Sequence, residues 1–249
     1  MKYVDADKGL KVFDIRFDVT TAGPSPNDNK RIELFLLGCD KAMRGDACLG
    51  CFNRKLWDSN LAEFSCDIES LANWIIERTP ENERFITIGG AEPTYQMDYL
   101  IPFCKILKQA NFNIMIYTYR ELSYELKLTN KAEYVAERLD KKKWFELIDT
   151  VDIIVDGPFL QDRKLYIEDY DDGFLSSIGS GNQTIWDCAY FRKTGILRGF
   201  PMESLNKLSI SFIGEKLIYI LKDEDSLNSE KLYIDKKYLE VAVNYNASI

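Results

Sequence analysis

Histidine is missing altogether from the 249 residues of this chain. That absence excludes a Ser-His-Asp triad, a Cys-His pair, any His-ligated zinc and any imidazole acid or base. Long apolar runs are missing too, and no stretch approaches the ~20 apolar residues that span a bilayer. The first residues, MKYVDADKGLKVFD, carry scattered charges and no apolar h-region, so the sequence predicts no signal peptide and a cytoplasmic protein. Basic charge is in deficit. Lys+Arg is 32 against Asp+Glu 40, a net charge of -8, which argues against nucleic acid or an anionic membrane as the main partner. Whatever chemistry the chain performs must use thiolates, carboxylates or a bound cofactor.

The conspicuous presence is six cysteines. Cytoplasmic thiols stay reduced, so these are core fillers, metal ligands or redox groups, and their spacing must sort them. With 46% hydrophobic and 29% charged residues the chain has the composition of a folded domain rather than a disordered one. Its length suits about one domain with an appendage.

Short strands and helices alternate through the middle of the chain. Val12–Val19, Arg31–Leu37, Arg84–Ile88, Phe112–Thr118 and Val151–Val155 read as strands. Asp67 can cap a helix with Ile68, Leu71, Ala72, Ile75 and Ile76 on one face; Tyr99–Ala110 and Lys131–Lys142 read as further helices. Such alternation predicts right-handed βαβ units, an α/β class and a parallel sheet or partial barrel, with ligands at the C-terminal strand ends. Beyond about residue 190 the pattern changes to short strands at Leu208–Ile213, Lys216–Leu221 and Lys231–Ile234. The expected division is therefore a core over 1–189 and a β-rich appendage over 190–249. Lys141–Lys143 and Asp171–Asp172 read as solvated surface.

Cys39 ends the strand RIELFLLGC, and Cys48 and Cys51 follow in a glycine-containing loop as C-x8-C-x2-C. Three thiolates from one loop suit three irons of a [4Fe–4S] cluster, leaving the fourth iron for a small ligand. A lone C-x-x-C is also compatible with half of a structural zinc site, but zinc prefers four protein ligands. It is also a redox pair where it opens a helix after a strand. An iron–sulfur electron carrier would need a fourth cysteine with suitable spacing. Cys66, Cys104 and Cys188 show no such pairing and read as small apolar fillers. One βα unit later, Gly89-Gly90-Ala91-Glu92-Pro93 closes another strand. Glycines there let backbone groups approach a ligand, and a carboxylate can hold an ammonium group. An ordinary strand–helix turn with Pro93 at its first helical position is the plainer reading of the same residues.

Taken together, the cysteine loop and the glycine turn resemble the radical S-adenosylmethionine (SAM) enzymes. Within these the chain is most similar to the activating proteins of anaerobic (class III) ribonucleoside-triphosphate reductases. The segments carrying the resemblance are FLLGC…CLGCFNRKLWD, GGAEPTYQ, IYTY, VDGPFLQDRK and GSGNQTIWD, spread over residues ~17 to ~187. The chain departs from the family's C-x3-C-x2-C spacing by five residues and reads GGAEP for GGEP. Gly23-Pro-Ser-Pro replaces a GPG-like segment, and Ile178 precedes GSGNQ where the family often has arginine.

The resemblance implies a partial (βα) barrel and a [4Fe–4S] cluster held by Cys39, Cys48 and Cys51. It implies SAM positioned by Gly89, Gly90 and Glu92, with Thr118 and Tyr119 lining the adenosyl pocket. Asp156, Asn182 and Gln183 would shape the same site. The implied activity is reductive cleavage of SAM to a 5′-deoxyadenosyl radical that installs a glycyl radical on a reductase subunit. The implied electron source is a low-potential donor such as flavodoxin or ferredoxin. A radical-SAM enzyme with another substrate, 7-carboxy-7-deazaguanine synthase-like or peptide-modifying, and a zinc-stabilised binding module are the competing expectations.

Overall fold

The computed structural model describes residues 1–19, 30–126, 140–164, 179–201, 208–213, 216–221 and 243–244. In chain order the strands are β1 (Tyr3–Asp5), β2 (Val12–Val19), β3 (Arg31–Leu36), β4 (Phe64–Cys66), β5 (Phe85–Gly90), β6 (Asn113–Tyr117), β7 (Ile153–Asp156), β8 (Thr184–Asp187), β9 (Ile196–Pro201), β10 (Leu208–Ile213), β11 (Lys216–Leu221) and β12 (Val243–Asn244). The α-helices are α1 (Asp40–Met43), α2 (Ile68–Arg78), α3 (Met97–Gln109), α4 (Leu122–Glu125), α5 (Lys141–Thr150) and α6 (Cys188–Thr194).

One sheet organises these elements, in the order β12-β9-β8-β7-β6-β5-β3-β2. Strands β3, β5, β6 and β7 run parallel, as the expected βαβ units require. Strand β2 joins β3 antiparallel at one side, and β8, β9 and β12 continue antiparallel at the other. The α/β class is borne out. The sheet is open, however: β2 and β12 are its edges, and no pairing among the described residues closes it into a barrel. Strand β9 lies beyond the boundary expected at 189/190 yet pairs with β8, so the sheet runs across that boundary. Strands β10 and β11 form a separate hairpin.

The core lies between this sheet and a layer in which α2, α3, α5 and α6 pack side by side. Each strand buries alternate residues against the helices: Ile32, Leu34 and Leu36 from β3, Ile86 and Ile88 from β5, Ile114 and Ile116 from β6. Helix α2 begins where the Asp67 carboxylate accepts the Ser70 N–H at 2.9 Å, and buries Leu71, Ala72 and Ile75. Cys66, Cys104 and Cys188 sit in this apolar core. All six cysteines are free thiols.

The helix expected at Lys131–Lys142 falls mostly on residues outside those described, as do the strand expected at Lys231–Ile234 and the Asp171–Asp172 pair. Helix α5 instead starts at Lys141, capped by the Asp140 carboxylate on the Lys142 N–H at 2.8 Å, and buries Trp144, Leu147 and Ile148. No helix among the described residues is long and apolar enough to cross a membrane.

Candidate functional site

Strand β3 delivers the chain into Leu37, Gly38 and Cys39, at the C-terminal edge of the parallel strands. The loop that follows closes on its own root. Gly38 N–H donates to Leu56 O at 2.8 Å and Cys39 N–H to Trp57 O at 3.0 Å. The long interval between Cys39 and Cys48 is taken up by α1 and by a Lys41–Asp46 ion pair at 2.6 Å. Its length is thus used in ordered structure, and the root of the loop stays closed.

A backbone N–H acts on each of the three sulfurs: that of Ala42 on Cys39, that of Phe159 on Cys48, and that of Asn53 on Cys51, where it donates to the Sγ at 3.4 Å. Hydrogen bonds of this kind favour thiolate and are among the levers that tune iron–sulfur centres. Cys39 and Cys48 also share an apolar cluster with Tyr119, Trp57 and Ala91. Burial, with the nearby Glu92 charge second, pushes the Cys39 thiol up to about 12, and burial likewise raises Cys48 against the opposing pull of Lys41. Thiols so placed ionise when a bound cation's own charge inverts that balance. Among the described residues, no three Cys, His, Asp or Glu side chains are gathered so as to hold one metal ion. Three cysteines on one [4Fe–4S] cluster each take a different iron, so convergence on a point is not required of them. The donor set, three sulfurs each influenced by a backbone N–H on a closed loop, fits such a cluster.

The glycine turn is bonded directly to this loop. Ala91 N–H donates to Leu36 O at 2.9 Å, Glu92 N–H to Gly38 O at 3.0 Å, and the Asn53 Nδ2 to Gly90 O at 2.5 Å. Glu92 itself is fully buried, and its side chain does not line the neighbouring cavity. Its Oε1 accepts from Thr94 N–H at 3.0 Å and Thr118 Oγ1 at 2.9 Å, and its Oε2 from Tyr119 N–H at 2.8 Å. Burial pushes its carboxyl up, opposed first by the Arg120 guanidinium. A carboxylate held this way fixes the main chain at the ends of β5 and β6. Asp40, next to Cys39, extends the brace by accepting the Tyr119 hydroxyl at 2.9 Å and Arg120 Nη2 at 2.6 Å.

A cavity of about 410 Å³ opens on the sheet face opposite the helices. Its upper wall is Cys48, Cys51, Asn53, Gly89, Gly90, Thr118 and Tyr119. The structure therefore gathers seven of the eight expected cluster and SAM residues at one edge, six of them on the cavity surface and Cys39 just behind. Glu92 is set back as their strut. The far wall comes from Gly157, Phe159, Lys164, Gly179 and Gln183. Gln183 pins that wall: its Nε2 donates to Gly157 O at 3.1 Å while its Oε1 accepts the Gly179 N–H at 3.0 Å. Asn182 Nδ2 donates to Pro158 O at 2.8 Å. Asn53 and Phe159 lie within the CLGCFNRKLWD and VDGPFLQDRK segments that carry the resemblance, but motif reading gave neither a role in the site.

Asp156 lies deeper, accepting Leu122 N–H at 2.7 Å and Thr184 N–H at 3.2 Å. Burial pushes its carboxyl up to about 7. The folded chain then keeps this proton up to neutral pH, whereas the unfolded chain loses it near 4, so stability falls as pH rises across that interval. Relative to wild type, Asp156→Asn is expected to gain up to about 3 kcal/mol between pH 5 and pH 8. Denaturation midpoints at the two pH values check this; parallel losses in both proteins would contradict it.

A model of the family described as the 4Fe-4S single cluster domain matches residues 28–186, more than half of the chain. No curated protein matches it.

Proposed function

The chain belongs to the 4Fe-4S single cluster domain family, and from that premise we propose that it is a radical-SAM enzyme whose cluster is held by Cys39, Cys48 and Cys51. The observation that carries the proposal is the continuity of the cysteine loop with the Gly89–Gly90 turn around one cavity. Two elements distant in sequence are joined there by the Glu92–Gly38 and Asn53–Gly90 hydrogen bonds, with Ala91 bonded to Leu36 at the end of the strand that leads into the loop. A cofactor seated between them would meet both.

In this reading the chain's residues bind and orient. The three thiolates hold the cluster, and the Gly89–Gly90 backbone, kept in place by Glu92, receives the amino group of SAM. Thr118 and Tyr119 border the adenosyl moiety. The largely apolar walls exclude water from a reactive radical. Bound there, the cluster supplies the electron that cleaves SAM reductively, drawn from a low-potential donor such as flavodoxin or ferredoxin. The finer assignment, supported by the VDGPF and GSGNQ segments, is an activase that installs a glycyl radical on an anaerobic reductase. A cytoplasmic setting and the partial-barrel family fold go with that assignment.

Anaerobic reconstitution with iron and sulfide tests this. The expected result is release of methionine and 5′-deoxyadenosine on addition of SAM and dithionite. Adding the cognate reductase should then give a glycyl-radical doublet by electron paramagnetic resonance. Absence of SAM cleavage by cluster-loaded protein would reject the radical-SAM reading. Cleavage without a doublet would reject only the activase assignment.

A further inference from the structure

Strand β3 alternates so that Arg31, Glu33 and Phe35 face away from the helices. Its register places Phe35 beside Gly89, and Glu33 beside Thr87 one row lower and beside Arg16 of β2. Glu33, Thr87 and Tyr117 line the lower part of the cavity, away from the cysteine loop.

Glu33 has Arg16 as its cationic neighbour and is not bonded to it, and Arg31 of its own strand is turned elsewhere. Arg16 donates through Nε to Asp14 at 2.8 Å and lies over the Phe35 ring at 4.8 Å. Arg31 donates through Nε to Thr87 Oγ1 at 2.8 Å, and through Nη2 to Ile86 O at 2.8 Å and Asn113 Oδ1 at 3.3 Å. Among the described residues the Glu33 carboxylate has no hydrogen-bond or ion-pair partner, although it is half-buried. A carboxylate partly withdrawn from water without protein donors loses solvation that a ligand's donors restore, and sites built this way discriminate strongly.

An ionised carboxylate only accepts, so its ligand must donate. The Arg16 guanidinium, outweighing the nearby Asp14 carboxylate, already offsets part of its charge, which favours a neutral N–H donor over a cation. Phe52 lines the cavity, and it and Leu49, three residues before it on the cysteine loop, are each 73% exposed, the surface expected where a larger molecule is met. We propose that Glu33 recognises the substrate, its carboxylate accepting main-chain N–H groups of a peptide segment that enters across Phe52 and Leu49, one strand row below the cofactor. This rests on the reading of the upper row as the SAM site.

The test uses cluster-loaded protein under anaerobic conditions. Saturation-transfer nuclear magnetic resonance measures binding of acetyl-Gly-Gly-Gly-amide, of its fully N-methylated counterpart and of guanosine. SAM binding is measured in parallel by calorimetry. Wild type is expected to bind the glycine peptide and not the methylated one. Glu33→Leu should weaken peptide binding about tenfold and Glu33→Gln less, with SAM affinity the same in all three proteins. The proposal is overturned if wild type does not bind the peptide, if it binds both peptides alike, or if Glu33→Leu binds as wild type does. Guanosine binding that depends on Glu33, with the peptide ignored, would also overturn it in favour of a small heterocycle. Should none of the three proteins bind SAM, the cofactor reading fails, while the peptide data still decide the role of Glu33. The methylated probe on wild type keeps the test decisive even if the leucine variant folds poorly.

Discussion

Replacing Cys48 with alanine is expected to abolish the broad visible absorption of the reconstituted protein and leave less than about one iron per chain. Cys48 lies at the join of the site. The Phe159 N–H from the far wall favours its thiolate, and its side chain packs in the cluster that also contains Cys39 and Tyr119. Removing it takes away one of the three proposed ligands. The fold should survive, because the loop root is closed by its own Gly38–Leu56 and Cys39–Trp57 backbone bonds. Cys39→Ala and Cys51→Ala should behave alike. Cys104→Ala and Cys188→Ala are the controls: both thiols are fully buried in the apolar core, so they should cost stability and leave the absorption intact. A Cys48→Ala protein that stays brown would sink the ligand assignment, and so would a colourless Cys104→Ala protein that remains folded.

The contrast also marks how far the sequence could be read. Cys104 was legible as a filler because it falls on the apolar face of α3 with Leu100, Phe103 and Leu107, and burial there follows from helical spacing. Helix α5 was legible in principle: Trp144, Leu147, Ile148 and Val151 repeat at helical spacing behind an Asp140 cap. The charged stretch just before them drew the expected helix too early. Strands β1 and β4, three residues each, pair across about sixty residues, and no local pattern announces that. The openness of the sheet is equally hidden, since strand periodicity sets which face is buried and is silent on closure.

At the site, motif spacing located the two loops but did not show the surroundings of two carboxylates. Glu92 at a strand end reads as a hand extended to a ligand, yet the Thr118 hydroxyl and Tyr119 N–H draw it inward. Glu33 is concealed in an apparently buried run, RIELFLL, where only the alternation of Ile32, Leu34 and Leu36 shows that it faces the other side. The outcome depends on donors brought from other strands, and those are fixed by tertiary register.

The paired glycines give the second large effect, because their environments are opposite. Gly90 adopts φ +101, and a Cβ there would lie 2.5 Å from both Leu36 N and Leu36 O. Those atoms belong to the backbone of β3, immediately before the cysteine loop, so they cannot turn aside as a side-chain tip would. A left-handed conformation costs an ordinary residue about 1–2 kcal/mol, and overpacking adds about 1–3 kcal/mol. Gly90→Ala is therefore expected to lose about 3 kcal/mol, a fall in Tm of roughly 6–12 °C for a chain of this size. It should also lose cluster, since Ala91 N–H to Leu36 O and Asn53 to Gly90 O both sit at the strained point. At Gly89 the nearest atom to an added Cβ is Tyr117 Cδ2 at 3.7 Å, an ordinary contact, and the methyl would project toward the cavity. Gly89→Ala should therefore melt within a few degrees of wild type and keep its cluster, yet bind SAM more weakly. Calorimetric melting, iron content and SAM titration of the two variants separate the roles. If Gly89→Ala bound SAM as wild type does, Gly89 would not face the cofactor. If Gly90→Ala melted normally, the brace between the glycine turn and the cysteine loop would not be what holds the two halves of the site in register.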